Sequence, residues 1–262
     1  FWQMEFQRRT VAGRLSEVFG ESTVSTDRYL RHFGFYDLAQ QAYDMADDKT
    51  QSLLDAYSAG VNAYIADRDP DQLGFEFTLL GLQGVDVEVE PWQPADSIVW
   101  GEMLIFDQAS LFNVEMLNLD RIAQVGTEMN KYLLSPYRDD RPAIIETEDL
   151  LAQATPASAL LAQYNEAELA YLLAAAESFD EAAIQPELLA DLGFGQSGAS
   201  NSFAISGDLT ETGQPMLAND PHMGINMPNL WHEVGLHCAE KSADCIYDVR
   251  GFALPGVPGI LI

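Results

Sequence analysis

Apolar residues recur at three- and four-residue intervals through roughly the first 125 positions of this chain and alternate with polar ones beyond Ser200. Helices first and strands afterwards describe a layered α+β protein and argue against the strand–helix alternation of a dinucleotide-binding fold. The helical period is clearest over residues 48 to 67, where Leu53, Leu54, Tyr57, Val61, Tyr64 and Ile65 share one face. Asp48 stands where an N-cap belongs and Asp69-Pro70 ends the segment, so a core-facing helix is expected there. A second long pattern runs from Pro94 to about Gly126 through Ile98, Met103, Leu104, Phe106, Leu111, Met116, Leu119 and Ile122, with Ala95 and Asp96 in its opening turn.

From about Glu146 to Gln196 the chain is rich in Ala, Leu and Glu, is broken by Pro156 and Pro186, and reads as a helical, detachable insert. The Gly-rich run Gly193-Phe194-Gly195-Gln196-Ser197-Gly198 closes it as an accessible segment. Strand-like text follows: Ser202 to Ser206, a turn at Thr212-Gly213, Pro215 to Ala218, then residues 231 to 238 and 245 to 250. Three regions result: a helical one at 1–150, a spacer at 151–199 and a strand-rich one at 200–262.

With 262 residues and 47% apolar content the chain can bury one large core or two smaller ones. Its formal charge of −28 repels phosphate backbones and anionic lipid, which argues against a nucleic-acid partner. No run of eighteen apolar residues occurs, so no membrane insertion is expected. Such acidity is usually a solubility feature, and the few lysines fit a saline habitat about as well as a binding role. The opening Phe1-Trp2-Gln3-Met4 has no initiator Met and no basic region ahead of an apolar one, so the chain reads as a fragment of a longer precursor. Cys238 and Cys245 flank a polar loop suited to a hairpin tip, where they either bridge as a disulfide or remain two separate thiols.

Ser200 alone would be an ordinary loop serine. Its setting is Gly198-Ala199-Ser200-Asn201-Ser202-Phe203-Ala204-Ile205-Ser206-Gly207, followed by Leu217-Ala218-Asn219-Asp220-Pro221-His222. This combination resembles the catalytic junction of the penicillin acylase family. The resemblance implies an αββα sandwich of the N-terminal nucleophile type, a precursor that cuts itself between Ala199 and Ser200, and Ser200 as the nucleophile of a linear-amide hydrolase. A terminal serine suits that chemistry, because its free α-amine, with a pKa of about 7.7–8.0, can take the hydroxyl proton itself. Ala199 departs from the glycine often found there, a change expected to slow processing rather than abolish it, since a small residue still lets the backbone bend.

Other roles follow from the same resemblance. Asn201 is the residue after the nucleophile, or simply a turn former. His222 lies beside the nucleophile and assists it, or is a structural histidine. Asn219 supports the site through hydrogen bonds, and Met223 lines an acyl pocket or packs in the core. Glu115 matches a calcium ligand, although calcium takes six to eight oxygens and one carboxylate is more often just solvated. The stretches Phe1–Arg9, Ala12–Glu17, Ala59–Tyr64 and Gly251–Gly259 match segments that specify fold. The oxyanion-stabilising groups of the family belong to sequence beyond Ile262, so this piece alone is expected to be inactive.

The resemblance further implies no organic cofactor, a possible structural calcium, a small-molecule amide substrate, two subunits cut from one zymogen that form a heterodimer, and a periplasmic or secreted location. Acyl-homoserine lactones or lipopeptides are alternative substrates of the same mechanism. A non-catalytic secreted binding protein on the same scaffold is the alternative of a different class.

Overall fold

The computed structural model describes residues 1–109, 111–133, 170, 171, 174, 200–223, 229–243 and 245–262. They fall into two compact units, one drawn from Phe1–Ala109 with Gln185–Ile262 and the other from Ser110–Ile184. The expected spacer boundaries at 150 and 199 lie outside the described residues, as does Ala199.

The first unit opens with α1 (Trp2–Val11), α2 (Ser16–Phe19), a 3-10 turn (Gly20–Thr23), α3 (Val24–Phe33) and α4 (Phe35–Met45). It continues through α5 (Asp48–Ala66), α6 (Pro70–Leu73), α7 (Phe75–Leu82) and α8 (Pro94–Ala109). One core joins Val11, Leu30, Phe35, Ala39, Val99, Trp100 and Met103 to Leu254 from the strand-rich region; a second gathers Val18, Leu73, Phe77, Leu80 and Val87.

Charge is buried alongside these cores. Glu5, with no exposed surface, pairs with Arg8 at 2.5 Å and Arg9 at 2.6 Å. Arg9 also donates to the Glu88 carbonyl, and Arg8 to that of Glu90. Arg14 grips both Glu90 carboxylate oxygens and holds the Glu17 and Glu90 carboxyls below their usual range. Asp96 accepts from Gln93 N–H, Arg8 and the Tyr36 hydroxyl, yet burial still pushes its carboxyl upward; burial likewise raises the Tyr36 phenol.

Among the helices, three expectations change. The N-cap of α5 is Asp47, whose extended backbone lets its side chain accept from Thr50 N–H, so Asp48 becomes the first helical residue. That helix faces the core less than its pattern implied: Leu54 is buried, but Leu53 and Tyr64 are exposed. Its Asn62 instead clamps the backbone of the buried Trp92, accepting from its N–H at 2.7 Å and donating to its carbonyl at 2.9 Å. The long pattern from Pro94 is divided between α8 and α9 (Leu111–Leu133), the latter belonging to the second unit and interrupted at Gly126, whose φ of 78° is not helical.

The strands are β1 (Asn201–Ile205), β2 (Met216–Asp220), β3 (His232–His237) and β4 (Asp248–Ala253). They form two antiparallel ribbons, β1–β2 and β3–β4, so helices do precede strands as expected. The fourth strand begins three residues later than its sequence pattern, after the cysteine loop, and its end is carried into the core by Ala253 and Leu254. Phe252 N–H donates to the Ile262 carbonyl at 2.7 Å, laying the final residues against β4. Gly251 permits this approach, since a Cβ there would meet the Ile262 oxygen at 2.2 Å.

Candidate active site

Ser200 is exposed and immediately precedes β1. The register pairs Asn201 with Asp220 and Ser202 with Asn219, so the residue entering β1 lies beside the Pro221-His222-Met223 segment leaving β2. His222 backbone N–H donates to Ser200 Oγ at 3.3 Å across 22 residues of sequence. Its imidazole Nε2 meets Asp220 Oδ2 at 2.8 Å. Ser202 Oγ donates to Asn219 Oδ1 at 2.8 Å, which ties the two strands of the ribbon together next to Ser200.

A cavity of about 340 Å³ opens here, lined by Ser200, Asn201, Asn219, Asp220 and Met223 with apolar walls from Leu104, Leu230, Trp231 and Leu254. Its size and lining suit a small molecule with an apolar portion. Gln108 of α8 also lines it, and its side-chain amide approaches Met223 Sδ at 3.6 Å. A larger groove, about 1040 Å³, lies between α1, α5 and the β3–β4 ribbon, but Ser200 does not line it.

The geometry therefore brings together Ser200, Asn201, Asn219, His222 and Met223. Glu115 lies in the second unit, exposed on α9. Among the described residues no group of three or more His, Cys, Asp or Glu side chains gathers to hold a metal ion. Cys238 and Cys245 are joined at the tip of the β3–β4 ribbon with Cα atoms 6.0 Å apart. Sequence reasoning passed over Asp220 and Gln108. The first stood inside the motif that carried the resemblance, whereas Gln108 reaches the site only through tertiary packing.

The family profile described as Penicillin amidase matches residues 1–262. The chain belongs to the penicillin amidase family. It is 30% identical over 260 residues to a penicillin acylase 2 proenzyme of Pseudomonas sp. (strain SE83), covering 98% of this chain and 30% of that protein. An acyl-homoserine lactone acylase QuiP of Pseudomonas aeruginosa is 27% identical over 263 residues, covering 99% of this chain and 27% of its own length. A penicillin G acylase of Escherichia coli is 25% identical over 301 residues, covering 98% of this chain and 33% of its own. This family member thus spans only about a quarter to a third of the length of those relatives. No helix among its described residues is long and apolar enough to cross a membrane.

Proposed function

We propose that this chain is part of an amidohydrolase precursor in which Ser200, released by self-cleavage after Ala199, becomes an N-terminal nucleophile on an αββα scaffold. The observation that carries the reading is the hairpin register, which sets the His222 amide against Ser200 Oγ beside an apolar-walled cavity. In turnover the hydroxyl oxygen attacks the substrate carbonyl carbon while the freed α-amine takes its proton. That proton passes to the leaving nitrogen as the C–N bond breaks, leaving an acyl-serine. Water then attacks the ester, the acid departs, and Oγ recovers its hydrogen.

The cavity walls and the similarity to both acylase types favour a linear amide with an apolar acyl group, acyl-homoserine lactones included. Cleavage at Ser200 and removal of residues 151–199 would leave two polypeptides as a heterodimer. The Cys238–Cys245 bridge supports an oxidising, periplasmic or secreted setting. Calcium at Glu115 rests on the resemblance alone, and no step depends on it.

The full-length precursor, incubated without protease, should yield a new N-terminus at Ser200 by Edman sequencing, and Ser200→Ala should remain one uncut chain. A parent that stays intact, or one cut elsewhere, would remove the nucleophile assignment. A parent that stays uncut at Ser200 and hydrolyses no amide would instead favour the binding-protein alternative, for which a new terminus there would serve no purpose.

A further inference from the structure

Ser202 and Asn219 stand opposite each other in the β1–β2 register, and Ser202 Oγ donates to Asn219 Oδ1 at 2.8 Å. Both residues are exposed, and a cross-strand bond so placed adds little to folding. Both also line the cavity that Ser200 lines. Strand alternation turns Ser202 and, two positions earlier, Ser200 to one face of the ribbon, and Asn219 shares that face as the partner of Ser202. Ser200 and Asn219 are then diagonal neighbours, roughly 7–8 Å apart. That spacing is too wide for a direct bond and wide enough for a substrate group between them.

A side-chain amide has one accepting oxygen and two N–H donors. The Ser202 hydroxyl occupies the oxygen, and among the described residues nothing else bonds to this amide. What Asn219 offers a ligand is therefore a donor. The apolar walls of Leu104, Leu230, Trp231 and Leu254 suit an acyl chain, which leaves the polar lining to the amine half of the substrate. We infer that Ser202 is a positioning residue that holds Asn219 Oδ1 and so directs the amide N–H groups to an acceptor oxygen on that amine half, such as the ring carbonyl of a homoserine lactone; this rests on the proposed role of Ser200. Without the Ser202 hydroxyl the amide can reverse and set its own oxygen against the substrate's, and two acceptors repel.

The probes are one acyl group the parent accepts, carried on homoserine lactone and on cyclopentylamine, two five-membered rings that differ in the ring ester. Both are read in the full-length, cleaved protein as competitive inhibition constants against an amide the parent hydrolyses, so neither probe need turn over. The parent's preference for the lactone amide should fall about 10-fold in Asn219→Asp, whose carboxylate still accepts from Ser202 but has no N–H to give. In Ser202→Ala it should fall about threefold. Ser202→Thr keeps the hydroxyl and should restore the preference. Ser202→Ala added to Asn219→Asp should lower it no further, because the serine acts only through the asparagine.

A bond that merely ties the strands would weaken both probes alike and leave their ratio where it was. An unchanged ratio, a threonine variant no better than the alanine one, or additive losses in the double variant overturns the inference. So does a parent that neither probe inhibits. If a variant stays uncut, a protease site engineered ahead of Ser200 supplies the terminus and the same ratio decides. A parent that neither cuts at Ser200 nor hydrolyses any amide overturns the reading beneath, and that failure shows before any variant is made.

Discussion

The helical segment 1–109 buries part of its charge beside the partly exposed Arg14 cluster, whereas the ion pairs described in the strand segment 200–262 are exposed. In the first, Glu5, Arg8, Arg9 and Asp96 are buried, and each is met by opposite charge. In the second, the pairs His222–Asp220, His237–Asp248 and Arg250–Glu233 all lie exposed on two-stranded ribbons. A buried pair tolerates no missing partner, because the survivor is left charged in a poor solvent. An exposed pair can be dismantled at small cost to folding. The difference separates residues that specify the scaffold from residues that are available for chemistry, and each variant below is chosen to break that separation or tighten it.

The largest effect is expected from His222→Ala in the full-length protein. Turnover of the cleaved enzyme should fall about 100- to 10,000-fold, the range for a group that assists proton transfer. The urea midpoint should hardly move, since an exposed pair is worth only about 0–1 kcal/mol. Steady-state rates on aryl-acetyl, aliphatic-acyl and homoserine lactone amides, read beside circular dichroism, check both halves. Unchanged rates on every substrate would make His222 structural and place it with the helical residues.

The mirror-image variant is Arg9→Met. It removes the 2.6 Å partner of a Glu5 carboxylate that has no exposed surface, and it also strips the Glu88 carbonyl of its donor. Arg8 still meets Glu5 at 2.5 Å, so the loss should stay below the about 3–5 kcal/mol of a buried charge left wholly unpaired, while the urea midpoint should still drop. Per-molecule activity of whatever folds and cuts should stay near the parent's. A lost rate with an unchanged midpoint would tie the arginine cluster to the reaction.

What could be read from the sequence follows the same division. Helical and alternating periods are local signals, so the order of helices and strands, the Thr212-Gly213 turn and the cysteine loop were all legible. The approach of His222 to Ser200 was expected from the family resemblance alone, and the β1–β2 register is what accounts for it in the structure. Asp47 and Asp48 are both able caps, and only the extended backbone at Asp47 chooses between them. The exposed face of α5 was misread because periodicity says which residues align and not whether anything covers them. Partners such as Asn62 with Trp92, or Arg14 with Glu90, lie 30 and 76 residues apart, beyond the reach of any local pattern. Asp220 was visible as a letter but not as a contact, since an acidic side chain two residues from a histidine pairs with it only in some backbones.

The smallest effect concerns a covalent feature of the exposed region. Cys238 and Cys245 close a loop with a sequence separation of 7 at the tip of the β3–β4 ribbon. Next to it, Lys241 and His237 both engage Asp248 across the same turn. A loop this short loses little freedom when bridged, and chain-entropy reasoning gives about 2.5 kcal/mol. The two helical cores near α1 and α7 do not depend on it, so replacing both cysteines by serine should loosen the ribbon locally while global unfolding shifts less than in Arg9→Met. Amide exchange read by mass spectrometry should show faster exchange over His232–His237 and Asp248–Ala253, with α1 unchanged. Peptide mapping of unreduced parent protein should recover one linked fragment containing both cysteines, and reactive thiols at both positions would exclude the bridge. If the double serine variant instead matched Arg9→Met in lost stability, the ribbon would be part of the scaffold, and the contrast between buried and exposed charge would no longer mark where folding ends and chemistry begins.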